Sequence, residues 1–210
     1  MKADVKRAVA STQRGKKATG AEQREILRKV EALEASNPVP EPARNKLLYG
    51  RWSLLYTGPG RDDDTTWEQR TGGVEGPVIA ALRPLNANIV RGKGITQVIA
   101  KDGTVQNIAE FQVGGVSGQL NVGGTVAPSG DGRGGTRVDV RFTAFSLKLG
   151  ALPELSLPLD LFSPTGWVET TYLDVDFRVG RGDKGSVFVT ARQGKAEEQA
   201  ALPAAAASQR

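Results

Sequence analysis

The 210-residue chain has no cysteine and no histidine. Without thiols there is no disulfide framework and no thiolate nucleophile. Without imidazole, the usual general base at neutral pH and the commonest metal ligand are both missing. A Ser-His-Asp triad and a His-ligated zinc site are therefore excluded. No apolar run reaches the roughly 18 residues that a transmembrane helix needs. The residues that are abundant point elsewhere. Of 26 glycines, 23 fall between Gly50 and Gly185. That distribution favours many short strands with tight turns over a helical bundle.

The net charge of +5 is uneven. Residues 1–46 carry 11 Lys and Arg against 6 Asp and Glu, and the remainder holds 17 of each. The basic character thus belongs to an N-terminal arm. Such an arm suits either a solvated helix face or an anionic surface. The charge-neutral remainder argues against a nucleic-acid platform, as do its aromatics at core-facing strand positions.

Within the arm, Val5 and Val9 have helical spacing in residues 1–13. Thr19 and Glu22 form a capping box. Behind it Ile26, Val30 and Leu33 share one stripe, and the helix should stop before Pro38. Pro38, Pro40 and Pro42 make a stiff linker. The stripe has no large aromatics, so the helix is expected to dock on the rest of the chain.

The β region begins near Leu47. Trp52, Leu54 and Tyr56 alternate along a first strand. Residues 58–64 read as a loop, 65–70 as a short strand and 76–84 as one helical turn. Short strands follow at 89–90 and 95–100, then a turn at 101–103. Residues 105–113 alternate, with Val105, Asn107, Ala109, Phe111 and Val113 on one face. A strand at 116–126 precedes a glycine-rich loop at 128–135. In 136–149, Val138, Val140 and Phe142 face one way. Residues 150–164 carry three prolines, which argue against a strand interior, together with Leu155, Leu157, Leu161 and Phe162. This segment either packs over the sheet or touches lipid or a partner. The runs 167–179 and 186–192 flank Gly180, Gly182 and Gly185 as a hairpin. About eight strands with short turns suggest a closed antiparallel barrel or a sandwich. The division expected is a helical arm at 1–46, a β unit at 47–193 and a flexible Ala-rich tail at 194–210.

Three residue sets resemble known patterns. The Gly50-x-Trp52 opening strand is similar to the first lipocalin motif. The run Val105-x-Asn107-x-Ala109-x-Phe111 resembles a second strand pattern. The long motif from Trp167 through Asp174, Arg178 and Arg181 to Val189 resembles the C-terminal signature of the plastid lipid-associated protein (fibrillin) family. The helix ending Leu33-Glu34-x-x-Asn37-Pro38 resembles that family too.

This resemblance implies a mainly β, lipocalin-like antiparallel barrel of about eight strands with an N-terminal helical extension. It implies a non-enzymatic protein without cofactor or metal, bound to hydrophobic small molecules or lipids. Prenyl quinones, carotenoids and acyl lipids are the candidate ligands. Plastoglobules or thylakoids in the plastid are the implied site, although no transit peptide is evident. The alternative is an interaction module that scaffolds a plastid enzyme. Inward candidates for the ligand are Trp52, Leu54, Tyr56, Phe111, Val140 and Phe142; a solid interior is the competing possibility. Leu155, Leu157, Leu161 and Phe162 are candidates for membrane contact. Following the lipocalin likeness, Arg178 or Arg181 would pack over Trp52 and close one end, beside Asp174 in the same motif.

Overall fold

The computed structural model describes residues 1–60, 90–159 and 164–194. The strand expected at 65–70, the helical turn at 76–84 and the tail from 195 lie outside the described residues.

The two helices form where local signals place them. Helix α1, Lys2–Val9, buries Val5 and Val9. Helix α2, Gly20–Glu34, buries Ile26, Leu27, Val30 and Leu33. The Thr19 side chain accepts from the Glu22 amide, and the Glu22 carboxylate accepts from the Thr19 amide, completing the capping box. Two short 3-10 turns, Pro42–Arg44 and Lys46–Leu48, lead into the sheet.

Nine strands follow: β1 Gly50–Pro59, β2 Val90–Ile99, β3 Thr104–Val113, β4 Val116–Pro128, β5 Arg137–Leu149, β6 Leu155–Pro158, β7 Thr165–Leu173, β8 Phe177–Gly182 and β9 Ser186–Arg192. They make one antiparallel sheet in the order β4-β3-β2-β1-β9-β8-β7-β5-β6. A further β4–β5 pairing joins the sheet into a ring. β6 is a branch from that ring. It pairs with Ala144 to Leu147 of β5, while β7 pairs with Arg137 to Arg141 on the same edge.

Directly opposed residues share a face, so register separates inside from outside. Trp52 lies opposite Gln97, Gln97 opposite Asn107, and Asn107 opposite Val122. That face carries Trp52, Ile99, Val105, Val138, Val140 and Leu173, which form one cluster reaching across the ring. It is the inner face. Val39, Ala43 and Leu48 join the cluster and cap that end. The outer face of β1, β8 and β9 forms a second cluster with the two helices. There Tyr56, Phe177, Val179, Val187 and Val189 meet Val5, Val9, Ile26, Val30 and Leu33.

Three expectations are corrected. Tyr56 does not share a face with Trp52 and Leu54, because the β1–β9 register shifts between Leu54 and Tyr56. The extra residue, Leu55, turns with Tyr56 toward the helices. The run 167–179 is not one strand. It breaks at Asp174, whose Oδ1 accepts from the amides of Asp176 at 3.0 Å and Phe177 at 2.8 Å, making a tight turn. The hairpin is β8–β9, with Gly185 at φ +72 in its turn. The segment 150–164 contains a strand despite its prolines. Pro158 ends β6, where a missing N–H costs no inner ladder bond.

Candidate functional site

Among the described residues the inner face is sealed at one end and only partly buried toward the other, called here the open end. At the capped end Trp52 is 0% exposed, and Ile99, Val105 and Leu173 are buried. Further along, Leu54, Ile95, Ala109, Phe111 and Leu149 face inward yet stay only half-buried. Leu120 and Phe145, which also face inward toward this end, are buried.

Two inner rings lie against the backbone of the wall. A Cβ on Gly118 would sit 2.4 Å from the Phe111 ring, and one on Gly182 2.9 Å from the Phe188 ring. Each phenylalanine therefore lies on the bare backbone of a neighbouring strand. Leu155 and Leu157 of β6 oppose Leu147 and Phe145, which places them on the inner side at the open end. They are 53% and 46% exposed. Val116 and Leu152 are exposed as well.

The structure brings Trp52, Leu54, Phe111, Val140 and Phe142 together on the inner face, with Trp52 and Val140 in the filled end. Tyr56 is not with them. Leu155 and Leu157 are exposed, while Leu161 and Phe162 lie outside the described residues.

Trp52 is fixed from several sides. Its Nε1 donates to the Leu48 carbonyl at 2.9 Å. The Arg178 guanidinium carbon is 5.2 Å from the indole centroid, and that of Arg192 4.2 Å. Both are within cation–π range. Arg181 is not at this position. It points outward and grips Glu34 at 2.9 and 2.6 Å, and it donates to the Gly60 carbonyl at 2.7 Å. Sequence reasoning missed Arg192. Its alternation with Thr190 along β9 was visible, but its position opposite Trp52 is a matter of register.

Arg192 also donates to the carbonyls of Val175 at 2.6 Å, Tyr49 at 2.9 Å and Leu47. Arg178 is almost fully buried, donating to Thr190 Oγ1 at 3.4 Å and to Gln97 Oε1. Burial, then repulsion from Arg192, pulls the Arg178 guanidinium down to about 10. Gln97 in turn donates to Asn107 at 2.9 Å. A polar chain Arg178–Gln97–Asn107 thus crosses the inner face beside the filled end.

The acidic residues of the C-terminal motif are engaged elsewhere. Asp174 shapes the β7–β8 turn and accepts from the Tyr172 hydroxyl at 2.8 Å. Lys2 bridges Asp174, at 2.7 Å, and Asp176, and Lys6 reaches Asp176 at 3.1 Å. The Lys2 hydrogen bond, partly opposed by burial, holds the Asp176 carboxyl down at about 2. Burial and then the Asp174 bond push the Tyr172 phenol up to about 12. Glu169 pairs with Arg137 at 3.1 Å on the outer face. Among the described residues no group of His, Cys, Asp and Glu could hold a metal ion. No described helix is long and apolar enough to cross a membrane.

Residues 1–191 match the PAP_fibrillin family profile. The chain is 30% identical to a probable plastid-lipid-associated protein 3 of Arabidopsis thaliana, covering 89% of this chain and 56% of that protein. It is 28% identical to a light-induced chloroplastic protein of Solanum tuberosum, over 87% of this chain and 64% of the relative. A chromoplast-specific carotenoid-associated protein of Cucumis sativus is 26% identical, over 87% and 64% respectively. The chain thus spans less than two thirds of the length of each of these relatives. No solved structure matches.

Proposed function

The chain belongs to the PAP_fibrillin family, and from that premise we propose that it is a non-enzymatic plastid protein that holds a small hydrophobic molecule inside a lipocalin-like barrel. Prenyl quinones, carotenoids and acyl lipids are the ligand class. One observation carries the reading. Toward its open end the inner face carries half-buried apolar side chains, Leu54, Ile95 and Phe111 among them, and Phe111 and Phe188 pack on the bare backbones of Gly118 and Gly182. An apolar molecule there would gain about 25 cal/mol for each Å² it removes from water. The relatives' names support the class, since they are described as plastid-lipid-associated or carotenoid-associated.

The protein works at a plastoglobule or thylakoid surface in this reading. Val116, Leu152, Leu155 and Leu157 make an exposed apolar rim at the open end, so a lipid surface would meet the mouth through which the ligand passes. A non-enzymatic role is supported by the use of Glu169, Asp174 and Asp176 in ion pairs and a turn.

Liposome flotation of the full chain, with Leu155 and Leu157 both changed to Ser, tests the rim. Flotation should drop several-fold. Unchanged flotation would remove these leucines from lipid contact.

A further inference from the structure

The polar chain on the inner face has a feature that a container for purely apolar molecules does not need. Arg178 carries a positive charge on the inner face, 6% exposed. Its partners there are neutral: Gln97 Oε1, Thr190 Oγ1 and the Trp52 ring. Among the described residues no carboxylate compensates it, and the charge that acts on it is another cation, Arg192. A buried charge is costly unless an opposite charge and hydrogen bonds satisfy it. The other inward arginine, Arg192, is spent on carbonyls of the capping segment and the β7–β8 turn. Arg181, by contrast, has its carboxylate partner Glu34 on the outer face.

Gln97 and Asn107, on the same polar chain, keep partial solvent contact. They continue in register to Ile95 and Ala109 toward the open end. Arg178 has five N–H donors, of which two are used on Thr190 and Gln97. Three remain, enough for both oxygens of a carboxylate.

We propose that Arg178 is the anchor of the inner site, and that its ligand is an amphiphile with a long apolar chain ending in a carboxylate. This rests on the lipid-holding reading above and narrows it. The chain lies along Ala109, Phe111 and Leu54, and the carboxylate reaches Arg178 and Gln97. A fully neutral quinone or carotenoid gives Arg178 no counter-charge and is the weaker ligand.

The test is a fluorescence titration of the 210-residue chain at pH 8 with cis-parinaric acid and, separately, with its methyl ester. The two probes share the apolar chain and differ in the head. The acid should bind about tenfold tighter or more, as expected for a charge-assisted pair. Arg178→Met should erase the preference of acid over ester, with circular dichroism verifying the fold. The wild-type comparison decides even if that variant fails to fold. Equal affinity for acid and ester in the wild type, or tighter binding of the ester, overturns the anchor and leaves the lipid-holding reading standing. Saturable binding of neither probe overturns both.

Discussion

Trp52 is the residue on which the closed end depends. It is fully buried, donates to Leu48 and has two guanidinium groups against its ring. Trp52→Ala should cost about 3–5 kcal/mol of unfolding free energy, the range for a large buried aromatic, read by urea denaturation. A loss below about 1 kcal/mol would mean that the capping segment and the two arginines hold that end without it. Gly118 gives a second prediction. A side chain there meets the Phe111 ring at 2.4 Å, so Gly118→Val should drive the ring into the inner space. Stability should fall by about 1–3 kcal/mol, and affinity for any inner ligand should fall with it. At this scale the sequence was half legible. Trp52 stands out by composition and by its Gly50-x-Trp52 context. Arg192 does not, because its role arises from lying opposite Trp52 across a strand pair, and register is not written in either strand alone.

The elements were legible where their signals are local. Helix α2 carries its own capping box and stripe, and it forms as read. The bulge at Leu55 was not legible. Whether Tyr56 points inward or outward depends on whether helices cover the outer face, and alternation along β1 holds no information about that. The covering helices are integral to the outer core. Removing residues 1–46 would uncover Tyr56, Phe177 and Val189, so such a truncation should lose solubility, which light scattering would report. Attachment of α1 should depend on pH. Asp176 is held at about 2, below its usual 3.8, by Lys2 and Lys6. A carboxylate with a lowered folded value contributes fully above its unfolded value. Its contribution is lost as pH falls from about 4 toward 2. Hydrogen exchange in α1 should therefore speed up over that window, relative to the β strands. The change should shrink in a Lys2→Met, Lys6→Met double variant. An identical profile in that variant would detach the effect from this ion-pair cluster.

At the scale of the whole molecule, alternation and turn glycines indicate many antiparallel strands but not which strands meet. A barrel and a sandwich were therefore both open. The ring is decided by two long-range pairings, β1 with β9 and β4 with β5. The branch strand β6 comes from the Leu/Pro segment, where proline content and leucine content pull in opposite directions. The ring gives the chain an inside, and the main functional claim is that this inside holds an apolar molecule. The direct test is to titrate the purified 210-residue chain with plastoquinone and, separately, with cis-parinaric acid while following tryptophan fluorescence. Saturable quenching with one ligand per chain is expected, weakened in Gly118→Val. Quenching that never saturates with either ligand, or none at all, would count against it.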